Sequence, residues 1–164
     1  MAHPAPETLH AAFRAALLAF AYPGRPRRAP AEAGAGAAER NARLVIAAAF
    51  DDGADPEGEG YVFVPPNVPP AALVATAPRG SEEAPQDGAT IVVAAAGDPA
   101  RTRVRLSGPG IDGVLETLLP LDRDTLAERA LACCEPPRGV DLLVSCDDGT
   151  LVGLPRSTAL EVVG

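Results

Sequence analysis

Two apolar runs near the end of the chain constrain its fold most strongly. Val140 to Cys146 and Leu151 to Leu154 are separated only by Asp147-Asp148-Gly149-Thr150. An Asp-Gly pair between two apolar segments is a strong signal for a β-hairpin, because its turn requires residues that readily adopt a positive φ. We therefore predict two antiparallel strands here, the second of which ends at Pro155.

Other segments predict helices and strands that alternate along the chain. Apolar residues at helical spacing predict a first helix over Glu7 to Ala21, with an apolar face made of Leu9, Phe13, Leu17 and Phe20. A second helix is predicted over Glu39 to Phe50, because length and alanine content favour it over a strand. Pro-Pro doublets at residues 65–66 and 69–70 exclude regular strand pairing there.

A third helix is predicted over Asp122 to Cys134, with apolar positions at Leu126, Ala130 and Leu131 and with Asp124 near its start as a capping or dipole-stabilising residue. The remaining predicted strands are Tyr61 to Val64, Thr90 to Ala96 and Arg103 to Leu106.

The last two of these strands are predicted to form a hairpin across Gly97-Asp98-Pro99. Helices and strands that interleave in this way indicate an α/β fold with a mixed β-sheet covered by helices. The chain has 164 residues, which suits one domain spanning residues 1–164 rather than two ordinary ones.

The charge and the absence of lysine exclude several classes of function. The formal net charge is −8, which argues against nucleic acid as the main partner, because phosphate backbones attract clustered positive charge. Every basic side chain is an arginine. The chain therefore lacks the lysine that would attach pyridoxal phosphate or contact a nucleotide phosphate in a Walker-type loop.

Cysteine and histidine are sparse and do not form a metal-binding pattern. The three cysteines lie at 133, 134 and 146, and the two histidines at 3 and 10. We expect no metal or other cofactor and a reducing, cytoplasmic location. No membrane span or export signal is expected, since no apolar run of about 18 residues occurs.

A glycine-rich segment, Gly108-Pro109-Gly110-Ile111-Asp112-Gly113, fits the spacing G-x-G-x-x-G of dinucleotide-binding loops. That fingerprint requires a helix that opens at the third glycine, whereas the chain reaches Pro120 after six further residues. We therefore interpret the segment as a glycine turn between two strands.

The residues after the predicted hairpin are the main candidates for binding an anion. Arg156, Ser157 and Thr158 supply a guanidinium and two hydroxyls, and Ser107 in the glycine-rich turn is a fourth candidate. The competing interpretation is structural. In it Arg156 pairs with a buried carboxylate such as Asp141, and we favour this use of the arginine over ligand contact.

Other chemically capable groups have simpler explanations. Cys133 and Cys134 are expected to be buried packing residues, because they lie at the end of a helix and have no histidine base nearby in sequence. His10 and Arg14 are expected on a solvated helix face. Arg25, Arg27 and Arg28 are expected to be solvated or to contact acidic residues. No catalytic residue is assigned.

Four separated groups of residues resemble motifs of one protein family, the H subunit of the bacterial carbon–phosphorus lyase system for phosphonate breakdown (PhnH). The motif positions, given as they stand in this chain, are Phe13-Arg14 with Pro23-Gly24; Gly88-Ala89-Thr90; Leu106 to Ile111, including Gly108, Pro109 and Gly110; and Gly139-Val140-Asp141-Leu142 with Leu154-Pro155-Arg156-Ser157-Thr158. The chain resembles a shortened or divergent member, since a proline-rich stretch stands where members of the family have a longer middle segment.

The resemblance implies a fold similar to pyridoxal-phosphate-dependent transferases, without the cofactor. It also implies a non-catalytic subunit of the multi-subunit complex that couples a phosphonate to a nucleoside triphosphate and cleaves the carbon–phosphorus bond on another subunit. The implied partners are the G, I and J components, with a homodimer expected when they are absent. Two alternatives stay open: a small phosphate- or nucleotide-binding protein or enzyme that uses Arg156, Ser157 and Thr158, and a degenerate homologue outside any complex.

Overall fold

The computed structural model describes residues 4–50 and 60–164. The sequence also predicts a helix break at Asp51-Asp52-Gly53 and an acidic, glycine-rich turn over Asp55 to Gly60; of these residues, only Gly60 lies within the described part of the chain. The described residues contain four helices, α1 (Pro6–Ala21), α2 (Ala37–Phe50), α3 (Pro70–Thr76) and α4 (Arg123–Ala132), together with a short 3₁₀ turn at Pro85–Asp87. The strands are β1 (Arg27–Arg28), β2 (Tyr61–Val64), β3 (Thr90–Ala95), β4 (Thr102–Ser107), β5 (Leu115–Leu119), β6 (Asp141–Cys146), β7 (Thr150–Leu154) and β8 (Ala159–Val162).

Five strands form a mixed sheet in the order β1-β7-β6-β3-β2. Strands β2, β3 and β6 are parallel, and β6 and β7 form the predicted antiparallel hairpin, with Leu142 opposite Leu154. The central strand β3 is a continuous buried run, as expected for a parallel strand covered on both faces. The mixed α/β class and this hairpin are therefore confirmed.

A second, three-stranded antiparallel sheet has the order β5-β4-β8. The predicted hairpin between Thr90–Ala96 and Arg103–Leu106 is therefore wrong, because β3 and β4 belong to different sheets. The burial patterns give the physical reason: β3 is buried nearly throughout, whereas β4 alternates between buried and exposed residues. An alternating strand has one solvated face, so it suits an antiparallel sheet rather than the centre of the parallel one.

Helix α1 forms as predicted but buries a different face. Its buried residues are Ala12, Ala15, Ala16 and Ala19. Phe13 and Leu17, which were predicted to face the core, are 40% and 53% exposed. The alanine face packs on β6 and β7 around Leu143 and Leu151.

The alanine side of α1 points toward the sheet because the helix lies very close to β7. A Cβ atom added at Gly153 would lie only 2.5 Å from the carbonyl oxygen of Ala19, which is closer than real Cβ contacts occur. Side chains larger than alanine would not fit between helix and strand at this distance. Phe13 and Leu17 consequently lie on the outer face, whereas Phe20, at the end of the helix, is half-buried and packs against the inner cluster.

Helix α4 also differs in detail from the prediction. Its N-cap is Asp122, which accepts a hydrogen bond from the backbone N–H of Thr125 at 2.8 Å, so Asp124 is a first-turn acidic residue rather than the cap. Leu126 is fully buried as predicted, but Leu131 is 58% exposed. The buried face instead contains Arg129.

Strand β1, helix α3 and strand β8 were not predicted from the sequence. Helix α3 begins at Pro70, where the missing N–H of proline costs nothing because first-turn N–H groups have no partner within the helix. Strand β8 pairs with β4 after the segment Pro155 to Thr158. Within the described residues, no helix is long and apolar enough to cross a membrane.

The main core lies between the two sheets, α3 and α4. Its largest fully buried side chains include Ile91, Leu106, Leu126 and Leu142. Smaller apolar clusters lie under α1 and α2 on the other face of the five-stranded sheet. The five-stranded sheet is therefore covered on both faces. Polar groups lie at the amino and carboxyl ends of its parallel strands.

Candidate functional site

Arg156 connects several segments at the amino end of the parallel strands. Its side chain pairs with Asp141, the first residue of β6, with an Nη2–Oδ2 distance of 2.6 Å and a further donation from Nε. The backbone N–H of Arg156 also donates to Asp141 Oδ1 at 2.7 Å. Nη1 and Nη2 donate to the carbonyl oxygens of Pro85 and Gly88. The structural use of Arg156 that the sequence favoured is present.

Two glycines allow this arrangement. A Cβ atom at Gly88 would lie 2.4 Å from Arg156 Nη1 and 2.4 Å from the carbonyl oxygen of Gly139. A Cβ atom at Gly139 would lie 2.9 Å from Cys133 Sγ and 3.0 Å from Arg156 Cβ. Two of the four motif groups thus meet around one guanidinium, because only glycine permits the backbone to approach it so closely.

An open pocket of about 750 Å³ lies beside this arginine. That volume is in the range of small-molecule sites. Its lining comes from the 3₁₀ turn, α4, the segment before β6, and the segment that leads into β8: Pro85, Gln86, Pro109, Arg129, Ala130, Cys133, Pro136, Pro137, Arg138, Arg156, Ser157, Thr158, Ala159 and Leu160. Three of these residues are arginines and none is an acid.

Arg129 is the most unusual residue of the pocket. Its residue exposure is only 2%, and its Nε is buried without a hydrogen-bond partner among the described residues. Nη2 donates to the carbonyl oxygen of Pro155 at 2.5 Å. Burial lowers the pKa of this guanidinium from its usual value, while the nearby Cys133 and Asp141 oppose the shift. Among the described residues, Arg129 forms no ion pair with a carboxylate.

The other two arginines of the pocket have acidic partners. Arg156 is paired with Asp141, and Arg138 is paired with Glu135. Two of the three guanidiniums thus each contact one carboxylate, and the positive charge that remains unpaired is that of Arg129. Unpaired charges buried away from water are costly, so this one marks the place where a negative group would be stabilised.

The predicted anion-binding residues are only partly brought together. Ser157 and Thr158 line the same pocket as Arg156. Thr158 is 2% exposed and its Oγ1 has no hydrogen-bond partner among the described residues, whereas Ser157 is exposed. Ser107 does not line this pocket; it lies in a separate hollow of about 200 Å³ with Arg105 and Glu161.

The two adjacent cysteines have different surroundings. Cys133 is partly buried, lines the pocket and donates from Sγ to the carbonyl oxygen of Val140 at 3.5 Å. Cys134 is exposed, so the expectation that both cysteines are buried packing residues is wrong for the second. Helix α4 ends at Ala132, and only the first of the two thiols points back toward the core.

The glycine-rich segment is a turn that connects β4 and β5, as predicted. A Cβ atom at Gly108 would lie 2.9 Å from the carbonyl oxygen of Ser157, and one at Gly110 would lie 2.2 Å from that of Ala21. Pro109, between them, lines the pocket. The turn therefore packs against the end of α1 and against the segment after β7.

The opening motif reaches the same region from α1. Pro23 is buried and lies 3.0 Å from the Cβ position of Gly110. Gly24, with a φ of 73°, packs on the side chain of Leu106. Phe13 and Arg14, in contrast, are exposed on α1, away from these contacts.

The other basic residues singled out in the sequence do not gather into a site. His10 and Arg25 are exposed. Arg27 stacks on the ring of Tyr22, with 4.7 Å from its Cζ to the ring centroid. Arg28 is 3.4 Å from Asp148 in an exposed ion pair. Arg25 and Arg28 thus have the predicted solvated and acid-contacting roles, whereas Arg27 is half-buried against an aromatic ring.

The carboxyl end of the parallel strands is organised by Asp147, directly after β6. Its Oδ1 accepts from the backbone N–H of Ala38 at 2.7 Å, and its Oδ2 accepts from that of Gly97 at 2.6 Å. Asn41 donates to the carbonyl oxygens of Cys146 and Asp147. Burial, together with the nearby Asp148, raises the pKa of the Cys146 thiol. This end is closed by backbone hydrogen bonds.

Sequence reasoning found Arg156, Ser157 and Thr158 but missed Arg129 and Arg138. A signal for Arg129 was present: it lies three residues after Leu126, on the same helical face. An arginine at a core-facing helical position needs either a partner or a ligand. No such signal marks Arg138, whose place follows from the course of the chain after α4.

Comparison with known proteins identifies the family. Residues 60–161, more than half of the chain, match the family described as "Bacterial phosphonate metabolism protein (PhnH)". This range contains the pocket and three of the four motif groups; Phe13-Arg14 and Pro23-Gly24 lie before it. No curated protein matches the chain. On the family match, the chain belongs to the PhnH family of bacterial phosphonate metabolism proteins.

Proposed function

We propose that this protein is a non-catalytic structural subunit of the carbon–phosphorus lyase core complex in organic phosphonate catabolism. The observation that carries the proposal is the PhnH family match over residues 60–161, which implies a role in phosphonate metabolism. The partners would be the G, I and J components of the complex. In their absence the chain would self-associate.

The outer face of α1 supports a role in assembly. Phe13 and Leu17 are one helical turn apart and are 40% and 53% exposed. Exposed apolar side chains that adjoin on one helix face commonly contact another protein. The negative net charge keeps such a surface soluble before assembly.

We further propose that the fold is related to that of pyridoxal-phosphate-dependent transferases. A mixed sheet with parallel central strands and helices on both faces is compatible with this relationship. The chain contains no lysine that could bind the cofactor as a Schiff base, so the relationship would be one of architecture and not of chemistry.

Co-expression with the G, I and J components, followed by affinity purification through a tag on one of them, tests the proposal. The chain is expected to co-purify in a fixed stoichiometry through size-exclusion chromatography. A chain that never associates with any of these components would overturn the assembly role, and would favour a degenerate homologue that has kept the fold alone.

Surface variants locate the contact. The double variant Phe13→Ser, Leu17→Ser is expected to reduce co-purification at least about tenfold, because two apolar anchors are lost from the interface. Leu131→Ser on α4 is the matched control, since Leu131 is equally exposed but lies on another element. Equal loss with both variants would show that α1 is not the contact surface.

A further inference from the structure

We propose that the pocket beside Arg156 binds the phosphonyl or phosphoryl group of a small organic molecule, with Arg129 as the charged partner and Thr158 Oγ1 as a hydrogen-bonding partner. This inference rests on the pocket alone. It holds whether or not the chain assembles with other subunits.

The charge of Arg129 is the first argument. Arginine stays protonated in proteins, so its positive charge remains even though burial disfavours it. The guanidinium has five N–H donors, of which the one on Nη2 to Pro155 O is accounted for and Nε has no partner among the described residues. An anion in contact with this guanidinium would neutralise its buried charge.

Arg156 is not the charged partner of the ligand, although the sequence singled it out. Its guanidinium already contacts the Asp141 carboxylate and two backbone carbonyl oxygens. Instead it fixes the segment that contains Ser157 and Thr158, two residues of the pocket lining. Arg156 is a positioning residue, and Arg129 is the residue available to a ligand.

Thr158 gives the second, independent argument. Thr158 is one of the lining residues of the pocket, and its hydroxyl is buried and has no hydrogen-bond partner among the described residues. Buried hydroxyls nearly always have a partner in the molecule or in a bound group. A guanidinium and a hydroxyl that line the same pocket, with Ser157 and Gln86 also on its wall, suit an anion with several acceptor oxygens.

The rest of the wall indicates an organic ligand rather than a bare inorganic ion. Prolines and aliphatic side chains form most of the remaining lining: Pro109, Ala130, Pro136, Pro137 and Leu160. Such a surface offers no hydrogen bonds to an ion but can contact an organic substituent. A tetrahedral phosphorus anion with a carbon substituent uses both parts of the pocket.

Calorimetric titration at constant ionic strength tests the proposal on the full-length chain. The probes are phenylphosphonate, phenyl phosphate, inorganic phosphate and benzoate. We expect both phenyl phosphorus anions to bind, with inorganic phosphate and benzoate at least about tenfold weaker. Equal affinity for phenylphosphonate and phenyl phosphate would show that the site recognises the phosphorus oxyanion itself. A preference for one of them would show whether the natural ligand is a phosphonate or a phosphate ester.

Three variants separate the site from nonspecific charge effects. Arg129→Met removes the buried charge at similar volume, so the chain is expected to fold, and should weaken phenylphosphonate at least about tenfold. Thr158→Val keeps the shape and should weaken binding about three- to tenfold. Arg101→Met is the matched control, because it removes an exposed arginine outside the pocket, and it should bind like the wild type.

Labelling with N-ethylmaleimide supplies a readout that needs no variant. Cys133 lines the pocket, whereas Cys134 is exposed outside it and Cys146 is at the other end of β6. Saturating phenylphosphonate should slow labelling of Cys133 severalfold and leave the other two rates unchanged. The proposal is overturned if no probe binds the wild type, if Arg129→Met binds as tightly as Arg101→Met, or if the three thiols keep their rates.

Discussion

Strand β6 has an aspartate at each end, and the two are used in different ways. Asp141, at its start, accepts hydrogen bonds from a guanidinium and from one backbone N–H. Asp147, just beyond its last residue, accepts only from the backbone N–H groups of Ala38 and Gly97. The amino end of the sheet is thus joined through an ion pair, and the carboxyl end through a carboxylate that accepts from backbone N–H groups.

The difference indicates which end can respond to a ligand. The side chain of Asp147 joins α2 and the segment after β3 to the turn before β7 by accepting from two backbone N–H groups. At the amino end, the Asp141–Arg156 pair lies beside a pocket that contains the unpaired Arg129. Open parallel sheets usually bind ligands at the carboxyl ends of their strands, so a pocket at the amino end is a departure from that rule.

The largest expected effect is that of Asp141→Ala. The change leaves the Arg156 guanidinium, 19% exposed, without its carboxylate, and it also removes the acceptor for the Arg156 backbone N–H. We expect a loss of about 3 kcal/mol in the free energy of unfolding, measured by urea denaturation.

Asp141→Asn sharpens this result. The amide keeps one oxygen for the backbone N–H but removes the negative charge. If the ion pair dominates, Asn should cost nearly as much as Ala. A small loss with Asn would contradict the assignment and would show that the backbone bond is the main contribution.

Asp147→Ala should have an intermediate effect. Two backbone N–H groups lose their acceptor, one of them at the start of α2, for an expected loss of about 2 kcal/mol in the free energy of unfolding. Asp147→Asn should recover about half of that loss, since one carbonyl oxygen remains. At Asp147 the Asn variant should thus lose much less stability than the Ala variant, whereas at Asp141 the two losses should be nearly equal. If the loss with Asn is the same fraction of the loss with Ala at both positions, the two aspartates do not differ in the way proposed.

The smallest expected effect concerns Asp148 and pH. Hydrogen bonds from Thr150 lower the pKa of this carboxyl below its usual 3.8. A lowered pKa in the folded state means that the ionised form contributes stability above pH 3.8, and that this contribution is lost as the pH falls through the folded-state pKa. Asp148→Asn should therefore cost less than about 1 kcal/mol at pH 7, because the side chain is exposed, and almost nothing near pH 2.

Urea denaturation of wild type and Asp148→Asn at pH 7, 4 and 2.5 measures this difference. Asp148→Ser is a suitable control, since it keeps a hydroxyl oxygen in the turn. A difference that grows as the pH falls would contradict the sign of the pKa shift.

The contact between Asp141 and Arg156 could be predicted because both residues flank one hairpin. Once Leu142 pairs with Leu154, the residues just before and just after the two strands must be neighbours. The same local logic predicted the turn between β4 and β5. The geometry of a short connection is determined by a few residues within it, so it can be predicted from the sequence.

Features that depend on packing between distant segments could not be predicted in the same way. The pairing of β3 with β2 and β6 brings together strands far apart in sequence, and the apparent hairpin with β4 was the nearer alternative. The burial of Arg129 depends on how α4 is rotated against the core. Spacing alone favoured a face with Leu131, which the structure leaves exposed.

The close approach of α1 to Gly153 has a consequence for engineering and for natural variation. On the inner face of the helix, side chains must be small. Replacement of Ala19 or Gly153 even by valine should force the helix outward. On the outer face, the side chain at positions 13 and 17 can change freely as far as this chain's own folding is concerned. A saturation library selected for folding alone should therefore keep small residues inward and accept polar ones outward, and any apolar requirement that a second selection adds at those two positions would belong to a partner.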